Sequence, residues 1–200
     1  MTIITASNGY KIRPLTDSDS SFILETLKDF PIGSNTYSQR VNEFSNSLYV
    51  TEGFNKTAVT NKTSPQSITL VTEKADGTAI GFQHIKIDNL VVEIVMGATH
   101  PSHRRQGHST ARLMLLGEFV YNYLGCTGTS MEIVNTDQVT KAADPWRPDI
   151  SAAETQRTNE NKFGDSQTYT LNRIQITAAE HETHRAAHST WGSITYSTSE

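Results

Sequence analysis

Arg104-Arg105-Gln106-Gly107-His108-Ser109 is a basic, glycine-containing run of the kind that holds phosphate. A strand-forming stretch, Leu90 to Thr99, precedes it, and an apolar-periodic stretch, Ser109 to Leu124, follows. The first turn of such a helix carries backbone N–H groups with no intrahelical partner, and a glycine ahead of it lets a diphosphate come close. Eleven residues before Arg104, Glu93 interrupts the apolar run Leu90-Val91-Val92-Glu93-Ile94-Val95-Met96. A carboxylate there either enters a cleft, faces solvent or pairs with a neighbouring strand, and strand alternation decides which. His181, His184 and His188 stand three and four apart on one helical face. His181-Glu182-Thr183-His184 is one residue short of the zinc-protease spacing, so a solvated or interface face is expected rather than a metal site. Cys126 has no recognisable partner for nucleophilic catalysis and reads as a packed small side chain.

The elements that must position these groups follow from periodicity and punctuation. Ile12 to Leu15 reads as a first strand, followed by a polar turn in which Thr16 or Asp17 caps a helix carrying Phe22, Ile23, Leu24, Leu27 and Phe30 at helical spacing. A second helical pattern runs from Ser38 to Tyr49, and Thr51 to Gln66 reads as a polar loop. Ser67 to Glu73 and Ala79 to Ile87 alternate around the hairpin signal Asp76-Gly77, and Asp88-Asn89 turns the chain into the strand that carries Glu93. Leu113, Leu116, Val120 and Tyr123 give the next helix an apolar stripe. Ser130 to Val134 then reads as a strand parallel to its predecessor through a helical crossover. Beyond Asn135, helix-compatible pieces (Thr136 to Asp165), a strand (Gln167 to Thr177) and a helix (Ala178 to His188) lead to a Ser/Thr-rich end holding Trp191 and Tyr196. In that last helix Ala179, Ala186 and Ala187 are expected against a neighbour and the three histidines toward solvent.

Arg104 to Ser109 resembles the cofactor segment of the GNAT superfamily of acetyl-CoA-dependent N-acyltransferases, whose pattern is Arg or Gln, two variable residues, Gly, one variable residue, then Gly or Ala. The run fits at Arg104 and Gly107 and departs at Ser109. Tyr10 to Asp19 is similar to the family's first strand and the turn into its first helix, and the His100-Pro101 step is of a kind the family carries. The resemblance covers roughly the first two-thirds of the chain. It implies an α/β fold: a mixed, mostly antiparallel GNAT-like sheet, splayed near the cofactor and flanked by helices, with a divergent C-terminal extension. The expected organisation is an acyltransferase domain over 1–177 and an extension over 178–200 docked on it or on another copy.

The resemblance also implies roles. Acetyl-CoA would be the cosubstrate, bound along Arg104, Arg105, Gln106, Gly107, His108, Ser109 and Thr110, with His108 exposed and Ser109 available as a helix cap. Gly97 to Thr99, Gly97 and Thr99 in particular, would bond the pantetheine arm through their main chain. Glu93, in a context similar to the strand of histone-acetylating members, would take the proton of a primary amine. The acceptor would be a small-molecule amine or a protein amine, the histone-like strand tilting toward protein. Asn135 fits a family position, but Gln138 stands where an alanine is usual and no tyrosine follows at the usual spacing, so the general acid is unassigned. Tyr169 becomes available only if the C-terminal chain folds back. The alternative is a non-catalytic CoA-binding or assembly module on the same fold.

Composition bounds these readings. With 200 residues, one domain with a substantial core is expected. A formal charge of −4 argues against nucleic-acid and anionic-membrane partners and leaves homo-oligomerisation open. The single cysteine excludes an intrachain disulfide, and the first thirty residues hold no apolar run of signal-peptide or membrane length, so a soluble, cytoplasmic protein is expected.

Overall fold

Alternation in the middle of the chain builds the sheet that everything else packs on. The computed structural model describes residues 3–28, 54–134, 154–160, 166–188 and 190–199. Two short strands, β1 (Ile3–Ala6) and β2 (Lys11–Pro14), precede a 3-10 turn (Asp17–Asp19) and helix α1 (Ser20–Lys28). The strand expected first is therefore the second. Thr16 does stand before the turn: its N–H and hydroxyl both donate to the Asp19 carboxylate, at 2.8 Å each. Arg13 clamps the same carboxylate with Nη1 and Nη2 at 2.7 Å and reaches Glu73 with Nε at 2.7 Å. Burial raises the Asp19 pKa, but the Arg13 and Thr16 hydrogen bonds outweigh it and hold the carboxyl below its usual value. The segment expected as a helix over Ser38 to Tyr49 lies outside the described residues. Within the expected loop after it, Asn55 caps a short helix, α2 (Lys56–Thr60), by accepting from the Ala58 N–H.

The hairpin of β3 (Gln66–Glu73) and β4 (Ala79–Asp88) turns at Gly77 with φ +83°. Strand β5 (Val91–Thr99) follows through Asn89 and Leu90, both at positive φ. Helix α3 (His108–Gly117) widens into a π-helical stretch (Glu118–Tyr123) before β6 (Gly128–Val134). Strand β7 (Glu154–Glu160) occupies a region whose sequence suggested helical pieces, and β8 (Ser166–Thr177) returns antiparallel to both β6 and β7. Helix α4 (Ala178–Ala187) and strand β9 (Tyr196–Ser199) complete the chain. The nine strands found among the described residues form one sheet in the order β7-β8-β6-β5-β4-β3-β2-β1-β9. It is mixed and mostly antiparallel: β5 and β6 pair parallel across the α3 crossover, and the other pairings are antiparallel.

Two apolar clusters cover the two faces. Helix α3 contributes Leu113, Met114 and Leu116 to the larger one, with Ile12, Leu70, Ile85 and Val92 from the sheet. Helix α1 contributes Ile23 and Leu27 to the smaller one, with Phe82 and Ala98. The C-terminal helix docks through His181, which is fully buried in a notch at Gly117, where a Cβ would collide with its ring. This reverses the expected orientation of α4: His181 faces inward, whereas Ala179, Ala186 and Ala187 are exposed. Among the described residues no cluster of His, Cys, Asp or Glu suits a metal ion, and no helix is long and apolar enough to cross a membrane.

Candidate functional site

Strands β5 and β6 stay paired for only part of their length. The parallel register runs from Val91 opposite Gly128 to Ile94 opposite Met131, after which β6 continues against β8 while β5 continues against β4. A bulge marks the point of departure: His84 faces Met96 and Ile85 faces Ile94, so Val95 is an extra residue in β5. Residues 95–99 thus have no β6 partner, and a wedge opens beside Gly97, Ala98 and Thr99. Peptide groups on that edge lack the β6 ladder that would bond them, although the Thr99 carbonyl is taken by Arg104.

The bulge also settles which way each side chain points. Val92 and Ile94 join the α3-side core, so Glu93 between them emerges on the face that carries α1, exposed and opposite Lys86. Met96 and Ala98 share the α1 face beyond the bulge, and Gly97 faces α3. His84 is on the α1 face too, fully buried, with Nδ1 3.0 Å from the Thr69 hydroxyl and Nε2 without a partner among the described residues. Burial, aided by the Lys86 charge, pulls its pKa down to about 4, so the ring is neutral near pH 7. Sequence reading passed over His84 because a histidine inside a strand carries no motif.

The loop after β5 is shaped by its own side chains. The ring of His100 stacks on Phe22 at 5.5 Å, and its Nδ1 accepts from the Ser102 N–H at 3.3 Å. Arg104 donates from Nε to the Thr99 carbonyl at 3.1 Å, which ties the loop to the end of β5, and among the described residues nothing takes its terminal nitrogens. Arg105 is exposed at φ +60°, Gln106 is exposed and donates to the Ser102 carbonyl at 3.0 Å, and Gly107 caps α3 at φ +78°. Gly107, not Ser109, is the cap; Ser109 and Thr110 lie inside the first turn, half-buried. Among the described residues no acceptor takes the N–H groups of residues 105–109, and a Cβ at Gly107 would meet nothing within 4 Å. Free amides, open space and two arginines fit a diphosphate.

His108 departs from expectation. Instead of facing solvent it is buried, its Nδ1 2.8 Å from the Tyr10 hydroxyl and its Nε2 3.3 Å from Gln106 Oε1. Burial, and then the Lys74 charge, lower its pKa, as they do for neighbouring His103. The cationic character of the loop therefore comes from its arginines. Tyr10 in turn packs against Trp191 at 5.9 Å, so the C-terminal tail reaches the start of α3 through one tyrosine.

Other candidates are placed without being joined to this site. Cys126 is buried, and desolvation pushes its thiol up to about 11, which suits packing rather than nucleophilic work. Tyr169 lies on β8 opposite Arg157 of β7, on a strand that does fold back beside β6. Asn135 and Gln138 lie outside the described residues.

No family model matches the sequence, and no curated protein matches it. Solved structures do. Spermidine N-acetyltransferase from Vibrio cholerae, in complex with CoA and spermine, superimposes with a TM-score of 0.57 at 12% identity, over 86% of this chain and 98% of that one. Apo FdhC, a nucleotide-linked sugar GNAT, superimposes with a TM-score of 0.59 at 12% identity, over 94% of this chain and 96% of that one. The chain has the GNAT acetyltransferase fold.

Proposed function

We propose that this protein transfers an acetyl group from acetyl-CoA to a primary amine. The observation that carries the reading is the wedge between β5 and β6, with unbonded amides of residues 105–109 at one end and the Glu93 carboxylate at the other. The two ends match the two needs of the reaction, anchoring a diphosphate and accepting a proton. Bound acetyl-CoA supplies the activated acyl carbon as a thioester. Arg104, Arg105 and the amides from Gln106 to Ser109 at the start of α3 hold its phosphates, with Thr110, whose N–H donates to the Gly107 carbonyl at 3.1 Å, offering its hydroxyl, and Gly97 and Thr99 hold its arm through their backbone. Glu93 receives the proton of the incoming amine on the α1 face, directly or through water. The structurally similar proteins act on a polyamine and on a nucleotide-linked sugar. The acceptor class is accordingly a small-molecule amine, with a protein amine as the other arm of the test.

Turnover is measured as CoA release from acetyl-CoA with a panel of polyamines, amino sugars, peptide N-termini and lysine peptides. At least one amine is expected to be acetylated, and Glu93→Gln is expected to lower that rate by roughly 10²–10⁴-fold at neutral pH, with the loss shrinking as pH rises and the amine deprotonates unaided. Full activity of Glu93→Gln would remove the base assignment. CoA binding without turnover on any amine would instead support a non-catalytic CoA-binding module.

A further inference from the structure

Helix α3 carries a cation into the sheet with no anion among the described residues to meet it. Arg112 lies one turn beyond the loop, and its side chain crosses a trench made by two glycines on facing strands, Gly81 of β4 and Gly97 of β5. A Cβ at Gly97 would collide with Arg112 Nη1, and one at Gly81 would stand 3.3 Å from Arg112 Cδ. Nη1 is bonded weakly, to the Phe82 carbonyl at 3.3 Å and to Gln83 Oε1 at 3.4 Å, while Nε is buried and meets no acceptor among the described residues. No carboxylate among the described residues pairs with it. Desolvation with no compensating charge pulls its pKa down to about 10, still fully cationic near neutrality.

A half-buried arginine with unmet N–H groups is costly unless negative charge comes to it. Its position says where that charge arises. The guanidinium rests on Gly97, within the stretch of β5 that has lost β6, and on the α3 face. Glu93 stands on the opposite face of the same strand. An amine entering beside Glu93 therefore attacks from one side of the wedge, and the leaving sulfur withdraws toward the other.

We propose that Arg112 stabilises the CoA thiolate released during acyl transfer, taking by charge the part a proton donor would otherwise play. This rests on the acyltransferase reading above. The amine lone pair forms the new C–N bond, the C–S bond breaks with its electron pair going to sulfur, and the amine proton passes to Glu93. Arg112 donates no proton; it lowers the free energy of the sulfur anion in a setting where water is scarce.

The test is the ionisation of the CoA thiol bound to the full-length protein, followed by thiolate ultraviolet absorbance against pH with a protein-only blank. Cys126, the one cysteine of the chain, titrates near 11 and stays outside the window from pH 6 to 9. In the wild type the bound thiol is expected to ionise at least about one pH unit below free CoA, as an opposite charge within several ångströms produces. Arg112→Met should restore the free value while still binding CoA, and Arg112→Lys should keep part of the shift. An unshifted thiol in the wild type, which needs no variant to fold, would overturn this role while leaving the acyltransferase reading in place. An equal shift in wild type and Arg112→Met would overturn it too. Failure of the wild type to bind CoA would sink both.

Discussion

Arg104 and the buried histidines carry predictions that belong to single side chains. Arg104 both ties the loop to Thr99 and offers its terminal nitrogens to a phosphate. Arg104→Ala is expected to weaken CoA binding by about 1–3 kcal/mol, read by calorimetry, as for a charge-assisted hydrogen bond. An unchanged affinity would take Arg104 out of the site. His84 and His181 are fully buried, and burial depresses both pKa values from 6.5 to about 4. Between those values the unfolded chain binds protons that the folded chain refuses, so their contribution is intact above pH 6.5 and is lost as pH falls toward 4, at about 1.4 kcal/mol per pH unit for each ring. Urea midpoints should therefore drop between pH 7 and 4.5, before the Asp19 carboxylate, held below 3.8, begins to protonate. A flat profile over that interval would mean that neither ring is kept neutral.

At the scale of elements, the π-helical stretch and the notch before it join α3 to α4. Gly117 has ordinary helical φ, so its value is space: the His181 ring fills the volume a side chain would need. Gly117→Ala is expected to cost about 1–3 kcal/mol through overpacking, measured by denaturant unfolding. The double variant Gly117→Ala with His181→Ala should cost less than the sum of the two single changes, because the clash disappears. Strict additivity would show that the helices do not meet there. The stripe of Leu113, Leu116 and Val120 was legible as periodicity, and the hairpins were legible from Asp76-Gly77 and Asp88-Asn89, because local turn chemistry sets them. Strand β7 was not, since every residue from Glu154 to Glu160 is of a polar type with no apolar alternation, and pairing with β8 alone makes it a strand.

The whole molecule closes through its tail, whose last strand lies beside β1 with Tyr196 opposite Ala6 and Ser199 opposite Ile3. Trp191 is buried against Tyr10, which holds His108 at the start of α3. Truncation after His188 is expected to lower the melting temperature, since removing a buried Trp alone costs about 3–5 kcal/mol, and to weaken CoA binding several-fold because Tyr10 loses its support. Unchanged affinity in a folded truncation would show that Tyr10 and His108 hold the loop without the tail. What the sequence by itself determined was local: the basic glycine loop ahead of an apolar helix, the meander and the parallel crossover, all of which rest on side-chain period and turn residues a few positions apart, while the whole sheet followed only from the family resemblance. Tertiary structure decided the rest. The bulge at Val95 fixes the face of Glu93, the separation of β5 from β6 opens the wedge, and the two glycines that seat Arg112 lie sixteen residues apart on neighbouring strands. Each depends on register between distant segments, and a shift of one residue would turn every side chain to the other face.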